Sequence, residues 1–106
     1  MIMRQEVLDI TGVNTKLIID EFCYTFQPSG KFEIDNDNIH IYVIEKYFFR
    51  TKTDVATIVL FEEKNQNHLV VHIGIAGGTD LFGFSLGAHN SMLKRIKRYF
   101  REKNLI

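Results

Sequence analysis

The chain has 106 residues, of which 45% are hydrophobic and 25% charged, with seven glycines and one proline. This length predicts one domain over residues 1–106, and the composition excludes a disordered, fibrous or linker-rich chain. The formal net charge is zero, but residues 1–90 carry 7 basic and 12 acidic side chains while residues 91–106 carry 6 basic and 1 acidic, so the C-terminal segment is distinctly basic.

The first quarter of the chain predicts a strand followed by a helix. Residues Arg4–Ile10 alternate weakly between apolar and polar, which favours a first strand. Asn14 has the short polar side chain that is typical of a helix N-cap. Apolar residues then recur at helical spacing until Pro28, so we expect a helix over residues 15–26.

The middle of the chain predicts successive strands, because β-branched and aromatic residues alternate with short polar turns. The expected strands cover residues 31–35, 39–49, 55–62, 68–76 and 81–86. The expected turns and loops are 36–37, 50–54, 64–67 and 77–80. Such short connections between consecutive strands favour antiparallel pairing.

The last segment predicts an amphipathic helix that begins near Asn90 or Ser91. Its apolar residues fall within about a third of the helix circumference; they are Met92, Leu93, Ile96, Tyr99 and Phe100. The cations on the rest of its surface are Lys94, Arg95, Lys97, Arg98 and Arg101.

The predicted order is β-α-β-β-β-β-β-α, which indicates an α+β fold. We expect an antiparallel sheet of about six strands with both helices packed on one face, since a helix with one apolar stripe needs a sheet face to cover. This order resembles a reduced helix-grip fold of the START-like lipid-binding proteins. The resemblance implies a small apolar ligand bound between the sheet and the helices.

Two helices cannot cover both faces of this sheet, although several strands are apolar on both. In strand 68–76 the apolar positions 69, 71, 73 and 75 are expected under the helices, so Val70 and His72 face the other way. We therefore expect a second apolar face that is an interface or ligand surface. Its candidate residues are His40, Tyr42, Ile44, Phe48, Val70 and His72. The leading explanation for this apolar face is homodimerisation, and the second is that it binds a small apolar ligand. The alternative is that the strand ends curl and bury these residues within the monomer.

The basic side of the last helix offers another surface. Its five cations could bind nucleic-acid phosphate or anionic lipid. Tyr99 and Phe100 belong to the apolar stripe and are needed for packing, so they are not free to stack on bases. Such a pattern more usually indicates a charged helix face that is exposed to solvent. Binding to nucleic acid or to a membrane is the less favoured alternative.

The sequence shows no pattern of residues that is typical of a catalytic or metal-binding site. His68 and His72 are four residues apart, but on a strand this spacing spans about 13 Å, too far for one zinc ion. The only cysteine, Cys23, has no histidine near it in the sequence that would activate a thiol. We expect no metal, no cofactor and no catalytic residue. Four residues could still act as a general acid or base if the pairing of strands places them close together. They are His40, His72, Glu45 and Asp80.

The stretch from Ile41 to the C-terminus resembles a known family. The segments that carry the similarity are Val-Ile-Glu-Lys-Tyr-Phe at 43–48, Gly-Gly-Thr-Asp at 77–80, Leu-Phe-Gly-Phe at 81–84 and the helix that follows. The stretch is similar to a family of small uncharacterised bacterial proteins classified as a domain of unknown function. The resemblance covers about the C-terminal half of the chain. It supports the fold and implies no catalytic residue.

These patterns predict a non-enzymatic interaction module that self-associates through its second sheet face. One cysteine cannot form an internal disulfide. The N-terminal residues lack the features of a signal peptide, and no apolar run approaches the length that crosses a bilayer. We therefore expect a cytoplasmic protein.

Overall fold

Five strands and two helices form the part of the chain that the computed structural model describes. This part comprises residues 3–34, 38–48, 53–76 and 84–106, with side chains for residues 5–34, 38–45, 55–76 and 91–106. The elements are β1 (Met3–Thr11), α1 (Thr15–Phe26), β2 (Gly30–Ile34), β3 (Ile39–Phe48), β4 (Thr53–Asn65), β5 (His68–Ala76) and α2 (Phe84–Glu102). The strands make one antiparallel sheet in the order β1-β5-β4-β3-β2. The predicted α+β class with an antiparallel sheet is confirmed.

Helix α1 begins and ends where its sequence predicts. The Asn14 side chain accepts a hydrogen bond from the backbone N–H of Leu17 at 3.2 Å, which satisfies one donor of the first turn. The helix ends at Gln27, which takes a left-handed conformation with φ of 48°, just before Pro28. Ile18, Ile19 and Phe22 are buried toward the sheet.

Both helices lie on one face of the sheet, which we call the covered face. Apolar side chains from β1, β4 and β5 meet those of the helices there. Phe22 of α1 is fully buried, and its ring centroid lies 5.0 Å from that of Phe61, 5.8 Å from Tyr99 and 6.0 Å from Phe100. These four rings join the two helices to the central strand β4 in one aromatic cluster.

The prediction of a sixth strand is wrong in part. Residues 84–86 belong to α2, which begins at Phe84 rather than near residue 90, while residues 81–83 and the expected turns at 36–37 and 77–80 lie outside the described part. Of the expected loop at 50–54, residues 53 and 54 begin β4, and residues 50–52 lie outside the described part. A short apolar run suits a buried strand and a buried helix equally, so the pattern could not decide between them. Strand β4 is also longer than expected, extending to Asn65.

Candidate functional site

The sheet face opposite the helices, which we call the open face, is lined with apolar side chains. Residues that pair directly across neighbouring strands lie on the same face of a sheet. One such row crosses the whole sheet and consists of Phe32, Ile41, Leu60, His72 and Val7. On one side of it lies the row Ile34, Ile39, Glu62, Val70 and Asp9, and on the other the row Gly30, Val43, Ile58, Gly74 and Gln5.

Four large apolar side chains of the open face are strongly exposed. The exposed fraction is 59% for Val7, 62% for Phe32, 52% for Ile34 and 45% for Ile58. Val7 is on one edge strand, Phe32 and Ile34 are on the other, and Ile58 is on the central strand, so the exposed apolar surface spans the full width of the sheet. Isolated exposed apolar residues are common on protein surfaces, whereas these four share one face of one sheet.

Two histidine–carboxylate pairs lie toward one end of the open face. His68 Nε2 lies 2.8 Å from Asp9 Oδ1, and His72 Nε2 lies 3.5 Å from Glu62 Oε1. Lys64 also pairs with Glu62, at 3.2 Å. The hydrogen bond from Lys64 lowers the pKa of Glu62, with a smaller contribution from His72, although burial opposes the shift. An apolar centre beside a polar margin is the usual anatomy of a protein–protein interface.

The predicted set of interface residues is split by the structure. Val70 and His72 lie on the open face as expected. His40, Tyr42 and Ile44 are buried on the covered face instead, because they pair with Phe61, Val59 and Thr57 in register. Their grouping with Val70 and His72 is therefore wrong, and the side chain of Phe48 lies outside the described part. Whether Val70 and His72 form an interface stays a prediction.

Val7, Phe32, Ile34 and Ile58 were not among the predicted surface residues. Strand β3 is apolar at odd and even positions alike, so its own pattern did not show which side faces the helices. The missing information was the strand order and the pairing register. Once these are known, the alternation of β5 determines which face each residue of the other strands occupies.

The buried His40 belongs to a polar network at the start of α1. Its Nε2 lies 2.8 Å from Glu63 Oε2, and the Thr15 hydroxyl donates to Glu63 Oε1 at 2.5 Å. Burial alone would raise the pKa of Glu63, but the hydrogen bonds from Thr15 and His40 outweigh it and the pKa is lowered. The network ties the first turn of α1 to strands β3 and β4.

The structure does not bring the acid–base candidates together. His40 Nδ1 is buried and lies 3.8 Å from Glu33 Oε1, too far for a hydrogen bond, and it is out of reach of a substrate. His72 lies on the opposite face of the sheet. Glu45 is exposed on β3, and Asp80 lies outside the described part. Among the described residues these groups therefore do not share a site.

The cations of α2 divide into two sets. Lys97 Nζ lies 2.7 Å from Glu6 Oε1 of β1, and the Arg95 guanidinium lies 5.8 Å from the ring centroid of Phe26. Lys94, Arg98 and Arg101 are exposed and point away from the sheet. The predicted basic face is thus partly used for contacts within the molecule.

The comparison with family models decides the classification of the chain. The model described as Family of unknown function (DUF6054) matches residues 5–104. The chain belongs to this family. The match extends the resemblance seen in the C-terminal half to nearly the whole chain, and DUF6054 membership assigns no activity or site. No curated protein and no solved structure matches the chain.

Other features of this DUF6054 member offer little to a small ligand. An open groove of about 600 Å³ is lined by turn residues and strand ends, namely Thr11, Gly12, Asn65, Gln66, Asn67 and His68. Within the described ranges, no three His, Cys, Asp or Glu side chains are grouped so that they could hold a metal ion. Neither helix in those ranges combines the length and apolar character needed to cross a membrane.

Proposed function

We propose that this chain is a non-enzymatic interaction module that forms a homodimer by packing two open faces against each other. The observation that carries the proposal is the exposed apolar patch formed by Val7, Phe32, Ile34 and Ile58 across the sheet. We also propose the bacterial cytoplasm as its location, since the single cysteine provides no internal disulfide.

The area of the open face is near the minimum for an interface. Five strands about 4.8 Å apart and three rows of side chains about 6.7 Å apart cover roughly 500 Å². This area includes the polar residues Gln5, Asp9, Glu62 and His72 beside the apolar ones. Two such faces together bury about 1,000 Å², which is the least expected of a biological interface.

The shape of the face also favours a second copy. Two sheets pack well face to face when apolar side chains from both interdigitate at a separation of about 10 Å. A two-fold dimer uses the same patch on both copies, so exposed apolar side chains that extend from one edge strand to the other can pack against their counterparts. The charged groups around Glu62 and Asp9 lie at one end of the patch, where they can stay in contact with water.

A small apolar ligand between the sheet and the helices is the weaker explanation. A helix-grip ligand site requires a cavity of several hundred Å³. The corresponding space here holds the rings of Phe22, Phe61 and Phe100, all of which are fully buried. Native mass spectrometry of the purified protein would reveal a retained ligand as added mass, and we expect none.

Sedimentation velocity on two matched variants tests the dimer. Ile58→Lys places a charge in the centre of the open face, and we expect it to convert the dimer into a monomer because the cation would be buried without a partner. Leu17→Lys makes the same kind of change at a residue that is 53% exposed on α1. This control should leave the dimer intact.

Two outcomes would contradict the proposal. One is a wild-type protein that sediments as a monomer at the highest concentration that remains in solution. The other is a dimer that Ile58→Lys preserves and Leu17→Lys dissociates, which would move the interface to the helices. Circular dichroism of both variants would confirm that each remains folded.

A further inference from the structure

Three cations form a single row on the outer surface of α2. Lys94, Arg98 and Arg101 follow the spacing i, i+4, i+7, which places them on one side of the helix with rises of about 6 Å and 4.5 Å between them. None of the three forms an ion pair with a residue that the structure describes, whereas Lys97 and Lys103 pair with Glu6 and Glu21. We call Lys94, Arg98 and Arg101 the cation row.

An exposed aromatic ring of α1 lies level with the C-terminal end of this row. The two helices are antiparallel neighbours, since Phe26 contacts Tyr99 while Lys103 lies 2.9 Å from Glu21. Interpolating between these contacts puts Tyr24 level with Phe100 and Arg101. The Tyr24 side chain is 84% exposed, on the side of α1 opposite the buried Ile19 and Phe22. The cation row lies opposite the buried Met92 and Ile96 of α2, so ring and row both face away from the sheet.

We infer that this surface binds single-stranded nucleic acid without sequence preference. Its phosphates would contact the cation row while one base stacks on Tyr24. Proteins that bind single strands combine a line of positive charge with aromatic rings, because every base has a face that stacks. The sequence pattern alone argued against stacking, since Tyr99 and Phe100 are committed to the core. Tyr24 supplies a free ring on the neighbouring helix.

The structure favours a single strand over the other polyanions. A helix that binds a membrane inserts its apolar face, but Met92, Ile96 and Phe100 of α2 are buried against the sheet. A duplex keeps its bases stacked on one another, so it offers Tyr24 no base. Only an unpaired strand uses the ring and the cation row together.

Two acidic residues set a limit on the affinity. Asp20 is exposed one turn before Tyr24, and Glu102 is exposed one turn after Arg98. Both repel phosphate, so neutralising them should strengthen binding. The face is also independent of the proposed dimer, because it lies on the helices and points away from the open face.

Fluorescence anisotropy with a labelled oligothymidylate tests the inference on the full chain. We expect binding whose association constant falls as salt rises, with a logarithmic slope of about −2 for three released counterions on a single strand. The triple variant K94A/R98A/R101A should abolish this binding. Tyr24→Ala should weaken it about tenfold, whereas Tyr24→Phe should retain it, since phenylalanine stacks as tyrosine does. Asp20→Asn should strengthen it severalfold.

The control is Lys31→Ala, which removes an exposed lysine of the edge strand β2 and should leave the affinity unchanged. Failure of the wild type to bind the oligonucleotide at low salt would overturn the inference. Equal binding by Tyr24→Ala and the wild type would overturn the stacking claim. Binding only to phosphatidylserine vesicles, or a preference for duplex, would also overturn it. Thermal unfolding by circular dichroism would verify that each surface variant is folded.

Discussion

The two faces of the sheet are similar in composition and opposite in environment. On β4, the side chains of Val55, Val59 and Phe61 point to the covered face and are buried, whereas Ile58, which alternates with them, is largely exposed. The strand therefore presents apolar side chains to both sides although helices are present on only one. Hydrophobicity alone does not mark the core of this protein; the position of the helices does.

The polar residues of the two faces differ in the same way. On the covered face the Thr15 hydroxyl and His40 Nε2 both contact the Glu63 carboxylate, while His40 Nδ1 is buried without a hydrogen-bond partner among the described residues. On the open face Asp9 and Glu62 pair with the more exposed His68 and His72. The covered face thus packs against the helices, whereas several large apolar side chains of the open face are exposed. Substitutions on the two faces should accordingly have different consequences.

The largest effect is expected from truncating the core aromatic of β4. Phe61→Ala leaves a cavity among the rings of Phe22 and Tyr42 and should lower the free energy of unfolding by about 3–5 kcal/mol. Urea denaturation followed by circular dichroism would measure it. A loss below about 1 kcal/mol would mean that the aromatic cluster does not hold the helices to the sheet.

A smaller effect is expected from the network at the start of α1. Glu63→Gln keeps the shape of the side chain but weakens the charge-assisted hydrogen bonds from Thr15 and His40, at a cost of about 1–3 kcal/mol at neutral pH. Because folding lowers the pKa of Glu63, its contribution is fully present above the unfolded value of about 4.3 and is lost as pH falls through the lower folded value.

The pH dependence provides the check on this network. The difference in unfolding free energy between the wild type and Glu63→Gln should shrink as pH is lowered from 7 toward 3, because the wild-type carboxylate becomes protonated. Denaturation curves at several pH values would show it. A difference that stays constant over this range would exclude a charged Glu63 as the source of the stability.

The smallest effect on folding is expected at Val7, for which the buried Val71 is the matched comparison. Val7→Thr on the exposed edge of the open face should change the unfolding free energy of the dilute protein by less than about 0.5 kcal/mol. The same change at Val71, which is fully buried on the covered face, should cost about 1–3 kcal/mol because it buries a hydroxyl. Val7→Thr should nevertheless weaken dimerisation, which sedimentation would detect. Equal costs at both sites would remove the distinction between the faces.

Much of the fold follows from local sequence signals. The helix at 15–26 and the strand at 68–76 have the predicted bounds because Asn14 caps the one and strict apolar alternation defines the other. The start of α2 was missed because an apolar run of six residues fits either state. The existence of an apolar second face followed from counting helices, which needs no knowledge of strand order.

The sequence did not show which residues lie on that face. His40, Tyr42 and Ile44 read as surface residues because β3 is apolar on both sides, and only pairing with β4 shows that they lie under the helices. The placement of Tyr24 near the cation row was also not predictable, since contacts of α2 with β1 and α1 decide which of its cations have a partner among the described residues. Long-range pairing was the missing information in both cases.

The most direct test of the account is an isotope-filtered nuclear Overhauser experiment on a mixture of labelled and unlabelled copies. This measurement detects protons of one copy that lie close to protons of another. The account predicts intermolecular signals between open-face side chains, including Phe32, Ile58 and Leu60, and none from the buried Phe61. The absence of intermolecular signals, or their confinement to α1 and α2, would contradict it.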